Sequence, residues 1–278
     1  MKKVWFITGC STGFGRELVK VVAQKGDIAV GTVRKSDQIA DLEALAPGQV
    51  KGVLLDVTKP DTIAASIAQV LQGYGKIDVL VNNAGYGSLG SIEETAEDEM
   101  YRQFEVNVYG AIRLIKAVLP SMRLQKKGHI LNITSIAGLA GFPGVGIYNG
   151  SKFALEGIGE ALAQEVGPLG IHVTNIEPGP YRTDWAGRSA NYTPTQIEDY
   201  RETVAKNLNS ISGVSGQQPG DPKKAAEAMY TVTTLENPPV HLPLGRPAYM
   251  RARIKMKEFL KELDTFEHIG LPTEFGDQ

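Results

Sequence analysis

Val4-Trp5-Phe6-Ile7-Thr8-Gly9-Cys10-Ser11-Thr12-Gly13-Phe14-Gly15 is the stretch on which the fold turns. Its first four residues form a short, uninterrupted apolar run, as in a strand buried on both faces. The run stops at Thr8-Gly9, and apolar residues then recur at helical spacing through Leu18, Val19, Val22 and Ala23. A buried strand, a glycine turn and a helix are expected. Glycine permits tight turns and lets backbone N–H groups approach an anion, and the helix N-terminus that follows favours a pyrophosphate. The first gap, Gly9 to Gly13, is wider than in the common G-x-G-x-x-G fingerprint. Taken alone, the glycines fit either a plain turn or a nucleotide cradle; their place between strand and helix favours the cradle.

Strand and helix patterns continue to alternate outward from that start. Ile28 begins a second strand that ends near Thr32-Val33-Arg34. A NAD-binding chain usually places an acid here for the adenosine ribose, about 20 residues after the glycines. This chain has Val33, Arg34 and Lys35 instead. No carboxylate is there to repel a 2′-phosphate, and Arg34 offers it charge-assisted hydrogen bonds; the other reading is a solvated basic turn. NADP(H) is therefore expected over NAD. Val50 to Asp56 reads as a third strand, with Asp56 and Val57 at its end, where the acid suits an adenine amino group or an ordinary turn cap. Asp78 to Val81 is a fourth strand ending in Asn82-Asn83-Ala84-Gly85, whose small residues leave room for a ligand. A helix covers about Asp98 to Val108 and a second continues to about Met122. Asn107 lies among Phe104, Val106 and Val108, as a satisfied core amide or as the holder of a water.

His129 to Thr134 is a fifth strand, and it delivers Ser135 to the same sheet edge as the glycine loop and Asn83. A glycine-rich apolar loop, 136–147, with Leu139, Phe142, Pro143 and Val145, is suited to wall a substrate pocket and leads to a helix from about Tyr148 to Val166. Tyr148 and Lys152 are four apart and so share one helical face. A phenol has a free pKa of about 10, and a nearby ammonium favours the phenolate and lowers that value. A phenol tuned in this way exchanges a proton with a carbonyl or alcohol oxygen, and Ser135 is placed to hydrogen-bond the same oxygen. Such a set has neither nucleophile nor metal and calls for a hydride-carrying cofactor. A sixth strand, Ile171 to Ile176, runs into the rigid turn Glu177-Pro178-Gly179-Pro180-Tyr181-Arg182-Thr183. The long segment 184–221 is a substrate lid by its length; its Trp185, Tyr192 and Tyr200 either cover an apolar substrate or anchor short helices. A helix from about Pro222 and a short strand near Val240 to Leu244 close the sheet.

The tail, 247–278, carries Tyr249, Ala252, Met256, Phe259, Leu260 and Leu263 at helical spacing among Arg251, Arg253, Lys255, Lys257 and Lys261. It is expected to pack on the domain with a solvated basic face, although a basic amphipathic helix also suits a membrane surface or a partner. The 278 residues carry a net charge of −2, which gives no reason to expect nucleic acid. A single cysteine, Cys10, excludes an internal disulfide framework and fits a cytoplasmic setting. The four histidines, His129, His172, His241 and His268, lack metal-ligand spacing. No apolar stretch is long enough to span a membrane.

Strand–TGxxxGxG–helix, NNAG, Asn107, Ser135, Tyr-x-x-x-Lys and the later Pro-Gly occur in one order along the chain. In this the sequence resembles the short-chain dehydrogenase/reductase family, over about Lys3 to Val240. The glycine pattern, the Arg34 turn and the long tail are similar to the branch of retinol- and 17β-hydroxysteroid-dehydrogenase-like members. The resemblance implies one α/β domain over 1–278, doubly wound, with a parallel seven-stranded sheet and helices on both faces. It also implies site roles. Tyr148 is the general acid/base; Lys152 lowers its pKa and bonds the nicotinamide ribose; Ser135 orients the substrate oxygen; Asn107 supports a water-linked relay to Lys152. Gly9, Ser11, Thr12, Gly13, Phe14 and Gly15 line the pyrophosphate and ribose, Arg34 meets the 2′-phosphate, and Asp56 and Val57 flank adenine. Asn83, Ala84 and Gly85 lie beside the ribose, and Pro178, Gly179 and Thr183 hold the nicotinamide amide, with Trp185 over the substrate. One departure is Thr12, where many NADP-preferring members have a basic residue. Family members often assemble as homo-oligomers, although a long tail can obstruct the subunit faces. The expected activity interconverts a small-molecule ketone or aldehyde and an alcohol with NADP(H). The alternatives are a non-catalytic NADP(H) sensor and an epimerase or dehydratase.

Overall fold

The computed structural model describes residues 2–187 and 189–275; Arg188 of the expected lid and residues 276–278 of the tail lie outside the described residues. Seven parallel strands make the main sheet: β1 Val4–Ile7, β2 Ile28–Val33, β3 Val50–Leu54, β4 Val79–Asn82, β6 Gly128–Ile133, β7 Ile171–Pro178 and β9 His241–Leu244. Their spatial order is β3-β2-β1-β4-β6-β7-β9. The order reverses between β1 and β4, and open sheets of this kind bind ligands outside the strand ends at that point. Both faces are covered, which is why the strands read as apolar runs. Trp5 and Ile7 face one side, toward α1 (Gly13–Gln24) and α8 (Pro222–Val232). Val4 and Phe6 face the other, toward α3 (Pro60–Tyr74), α5 (Gly110–Gln125) and the far end of α6 (Gly146–Val166). The sheet and its two helical layers are those of the Rossmann type.

The structure departs from the sequence reading in five places. A short helix α2 (Gln38–Glu43) follows β2, and β7 runs on through Glu177 to Pro178 before turning. The helix α4 (Glu97–Phe104) joins α5 through one π turn, Glu105–Tyr109, so Asn107 sits where the winding widens. The segment 184–221 is largely structured: β8 (Ala190–Tyr192) pairs in parallel with β5 (Gly87–Leu89), and α7 spans Lys206–Gly213. It is tied down where Tyr200 donates to Glu93 at 2.7 Å and Glu94 accepts from the Gln196 and Ile197 amides.

The fifth departure is α9 (Arg246–Gly270), which does not pack along the domain as expected. Only Ala248 of this helix is buried, while Met256, Phe259, Leu260, Leu263 and Phe266 are each about half exposed. Its main contacts with the body are with β9 and the turn Ile136–Gly138, and Arg251 lies over the Phe142 ring at 5.7 Å.

His129 on β6 is buried, and its Nε2 donates at 2.9 Å to the Thr174 hydroxyl, which itself donates to the Pro239 carbonyl. Burial, with His172 and Lys3 nearby, pushes its pKa down to about 3 from an ordinary 6.5. Above 6.5 the ring is neutral folded or unfolded; between 6.5 and 3 only the unfolded chain takes up the proton. Stability should therefore fall as pH drops through that window, by up to roughly 1.4 kcal/mol per pH unit. In thermal melts, His129→Gln should flatten the acid limb; parallel limbs in the two proteins would exonerate His129.

Candidate active site

A cleft with a cavity of about 1610 Å³ opens outside the carboxyl ends of β1 and β4. Its floor near β1 is the glycine turn. Gly9 and Gly13 hold φ of +70° and +60°, the left-handed region that side chains avoid. A Cβ on Gly15 would stand 2.5 Å from the Gly9 carbonyl oxygen and 2.6 Å from Asn83 Nδ2. Asn83 holds this turn from β4, donating to the Thr8 and Gly9 carbonyls at 2.7 and 3.0 Å. The bare turn leaves backbone and the start of α1 facing the cleft, a fit for a pyrophosphate. Gly15→Ala should cost roughly 1–3 kcal/mol by overpacking and weaken dinucleotide binding, read by thermal melts and by nucleotide titration; a wild-type melt would deny the close packing.

Ser11, Thr12, Phe14, Arg34, Asp56, Val57, Ala84, Gly85, Pro178, Gly179, Thr183 and Trp185 line the same cleft. Arg34 is exposed at the end of β2. Burial pushes the Asp56 carboxyl up, but the backbone and hydroxyl of Thr58, with Lys59 and Arg34, bring it below its ordinary value. Thr183 Oγ1 accepts from the Trp185 amide and its side chain lies 3.6 Å from the Cβ position of Gly13.

Tyr148 and Lys152, near the start of α6, reach the cleft where Ser135 ends β6. Both α6 side chains are buried. Contrary to the expectation of an acidified phenol, burial pushes Tyr148 up to about 12, with hydrogen bonding by Ser135 opposing it. Lys152 Nζ sits 5.7 Å from the centre of the Tyr148 ring and donates to the Ile133 carbonyl at 2.8 Å, so its charge is not spent directly on the phenol oxygen. Burial lowers Lys152 to about 8, against the pull of Glu156. The Trp185 ring covers Tyr148 at 5.1 Å between centres. Ser135 Oγ also accepts from the Ala137 amide at 3.0 Å. Asn107 is fully engaged: Oδ1 accepts from the Tyr86 amide, and Nδ2 donates to the Tyr86 carbonyl and to Ser151 Oγ. It clamps the strand-end segment after Gly85, one of the two readings its position left open.

Sequence reasoning missed a polar ladder beneath this site. Asn82, Asn132 and Asn175 stand in register on β4, β6 and β7. Asn82 donates to Asn132, Asn132 to Asn175, and Asn175 to Glu156 on α6, at 2.9, 3.0 and 2.7 Å. One asparagine near the end of each of three buried strands was the signal. The buried Glu156 and Glu177 meet the exposed His241, and burial raises the two acids to about 7 and about 8. Phe142 and Val145, on the apolar loop read as a pocket wall, do line the cleft, and so do Ile211 and Val214, which the sequence reading did not single out.

Among the described residues no helix is long and apolar enough to cross a membrane. The family model for short chain dehydrogenases matches residues 3–193. The chain is 38% identical over 249 residues to oxidoreductase BOA17 of Botryotinia fuckeliana, covering 89% of this chain and 90% of that one. It is 36% identical over 248 residues to human retinol dehydrogenase 8, covering 84% and 78%. A short-chain dehydrogenase structure from Streptomyces avermitilis superposes with a TM-score of 0.93 at 38% identity, covering 98% of each chain. An alcohol dehydrogenase from the archaeon Thermococcus sibiricus, complexed with 5-hydroxy-NADP, superposes at 0.73 with 26% identity, covering 88% and 96%. With its cleft, its sheet order and these relatives, the chain belongs to the short-chain dehydrogenase/reductase family, oxidoreductases that act on CH–OH groups with NAD(P) as acceptor.

Proposed function

We propose that this protein is an NADP(H)-dependent oxidoreductase interconverting an apolar ketone or aldehyde and its alcohol. The observation that carries the reading is the convergence of Ser135, Tyr148 and Lys152 on the cleft that the glycine turn opens into. The glycine turn, Arg34, Val57 and the Pro178–Thr183 turn would hold the dinucleotide, which when bound supplies the hydride. In reduction the carbonyl carbon gains that hydride while Tyr148 gives its proton to the oxygen. Ser135 orients that oxygen by hydrogen bonding. A phenol held near 12 carries its proton at neutral pH, as a donor must. The Lys152 ammonium favours the phenolate left behind, and Asn107 positions the backbone around Tyr86.

Phe142, Val145, Trp185, Ile211 and Val214 suit the apolar part of the substrate. The segment 184–221 serves as its lid, within one domain spanning 1–278. Arg34 in place of a ribose-binding acid supports NADP(H) over NAD, and the single buried Cys10 fits a cytoplasmic setting. A panel of apolar ketones and aldehydes should be reduced with net loss of NADPH absorbance. NADPH binding without consumption across the panel would instead mark a sensor. Substrate conversion with no net consumption would mark an epimerase or dehydratase.

A further inference from the structure

The outer turns of α9 expose a sustained apolar stripe, although most of this chain's helices bury theirs. Tyr249, Met256 and Leu263 recur every seven residues, and so do Ala252, Phe259 and Phe266. Interleaved, the two sets make the kind of seam by which one helix packs on another, with Leu260 beside it and Met250, Ile254 and Ile269 exposed elsewhere on the helix. At 25 residues the helix is about 37 Å long, and much of that length stands clear of the body.

Its charges are divided along its length. Residues 246–257 carry Arg246, Arg251, Arg253, Lys255 and Lys257 and no acid. Residues 258–267 carry Glu258, Glu262, Asp264 and Glu267 against one cation, Lys261. A parallel pair of such helices sets like against like. An antiparallel pair about a two-fold axis near Phe259 brings Arg253 and Lys255 of each copy opposite Glu267 and Glu262 of the other. The same register stacks Met256, Phe259 and Leu263 across the seam. Both the apolar spacing and the charge division thus fit a self-complementary, isologous contact.

We propose that α9 is a docking helix for a second copy of this chain, the two helices pairing antiparallel through the 249–266 seam. At micromolar concentration, light scattering should show that Phe259→Glu halves the mass of the wild-type particle, with circular dichroism unchanged because the residue is exposed in the single chain. Arg253→Glu with Lys255→Glu should halve it too. Adding Glu262→Lys and Glu267→Lys to that double variant should restore it, since the swapped charges again match only head to tail. A monomeric wild type, a mass indifferent to Phe259→Glu, no rescue by the charge swap, or sedimentation of the wild-type protein with anionic vesicles as a monomer would each overturn the proposal.

Discussion

Tyr148→Phe should lose turnover by roughly 10²- to 10⁴-fold, the usual worth of a positioned general acid, while the protein still folds and binds NADPH. The substitution removes one oxygen and keeps the ring that packs against Trp185, so the surrounding cleft has no reason to move. Burial and the Ser135 hydrogen bond act on the hydroxyl alone. Steady-state kinetics and a nucleotide titration on the same sample separate the two functions: the kcat should collapse and the dissociation constant should hold. Near-normal turnover would end the proposed proton transfer. Equal loss of binding and turnover would recast Tyr148 as part of the dinucleotide contact instead.

Arg34→Asp should invert the preference between the two nicotinamide cofactors. A charged hydrogen bond to a phosphate contributes about 1.5–3 kcal/mol, which corresponds to roughly 10- to 100-fold in affinity. The new carboxylate adds repulsion of the 2′-phosphate and an acceptor for a free ribose hydroxyl. The KM for NADPH should rise by about that factor and the KM for NADH should fall. Arg34 is exposed at the end of β2, so the change should leave stability within about 0.5 kcal/mol. An unchanged ratio of kcat/KM for the two cofactors would remove Arg34 from the phosphate site.

Much of the sheet was legible because strands buried on both faces read as apolar runs, several of them leading into a glycine, asparagine or serine on the cleft edge. Val4–Ile7 and Val79–Asn82 are such cases. The pairing of β5 with β8 was not legible: Gly-Ser-Leu and Ala-Asn-Tyr are too short to carry a period. The asparagine ladder needed the register of three strands, which a single stretch does not encode. Helical spacing located the apolar stripe of α9 correctly but is silent on whether the body has a groove left to cover it. The raised pKa of Tyr148 depends on how deeply neighbours enclose it, a property of packing. Spacing identified the ammonium one turn away, but its hydrogen bond goes to the Ile133 carbonyl.

The chain has two tryptophans. Trp5 is fully enclosed and stacked on Tyr230, remote from the cleft, while Trp185 lies over Tyr148. Reduced nicotinamide absorbs where indole emits, so a nucleotide seated in the cleft would draw energy from the Trp185 indole that borders it. Subtracting the spectrum of a Trp185→Phe protein therefore isolates an optical gauge of occupancy at the reaction centre, one that works before any substrate is known.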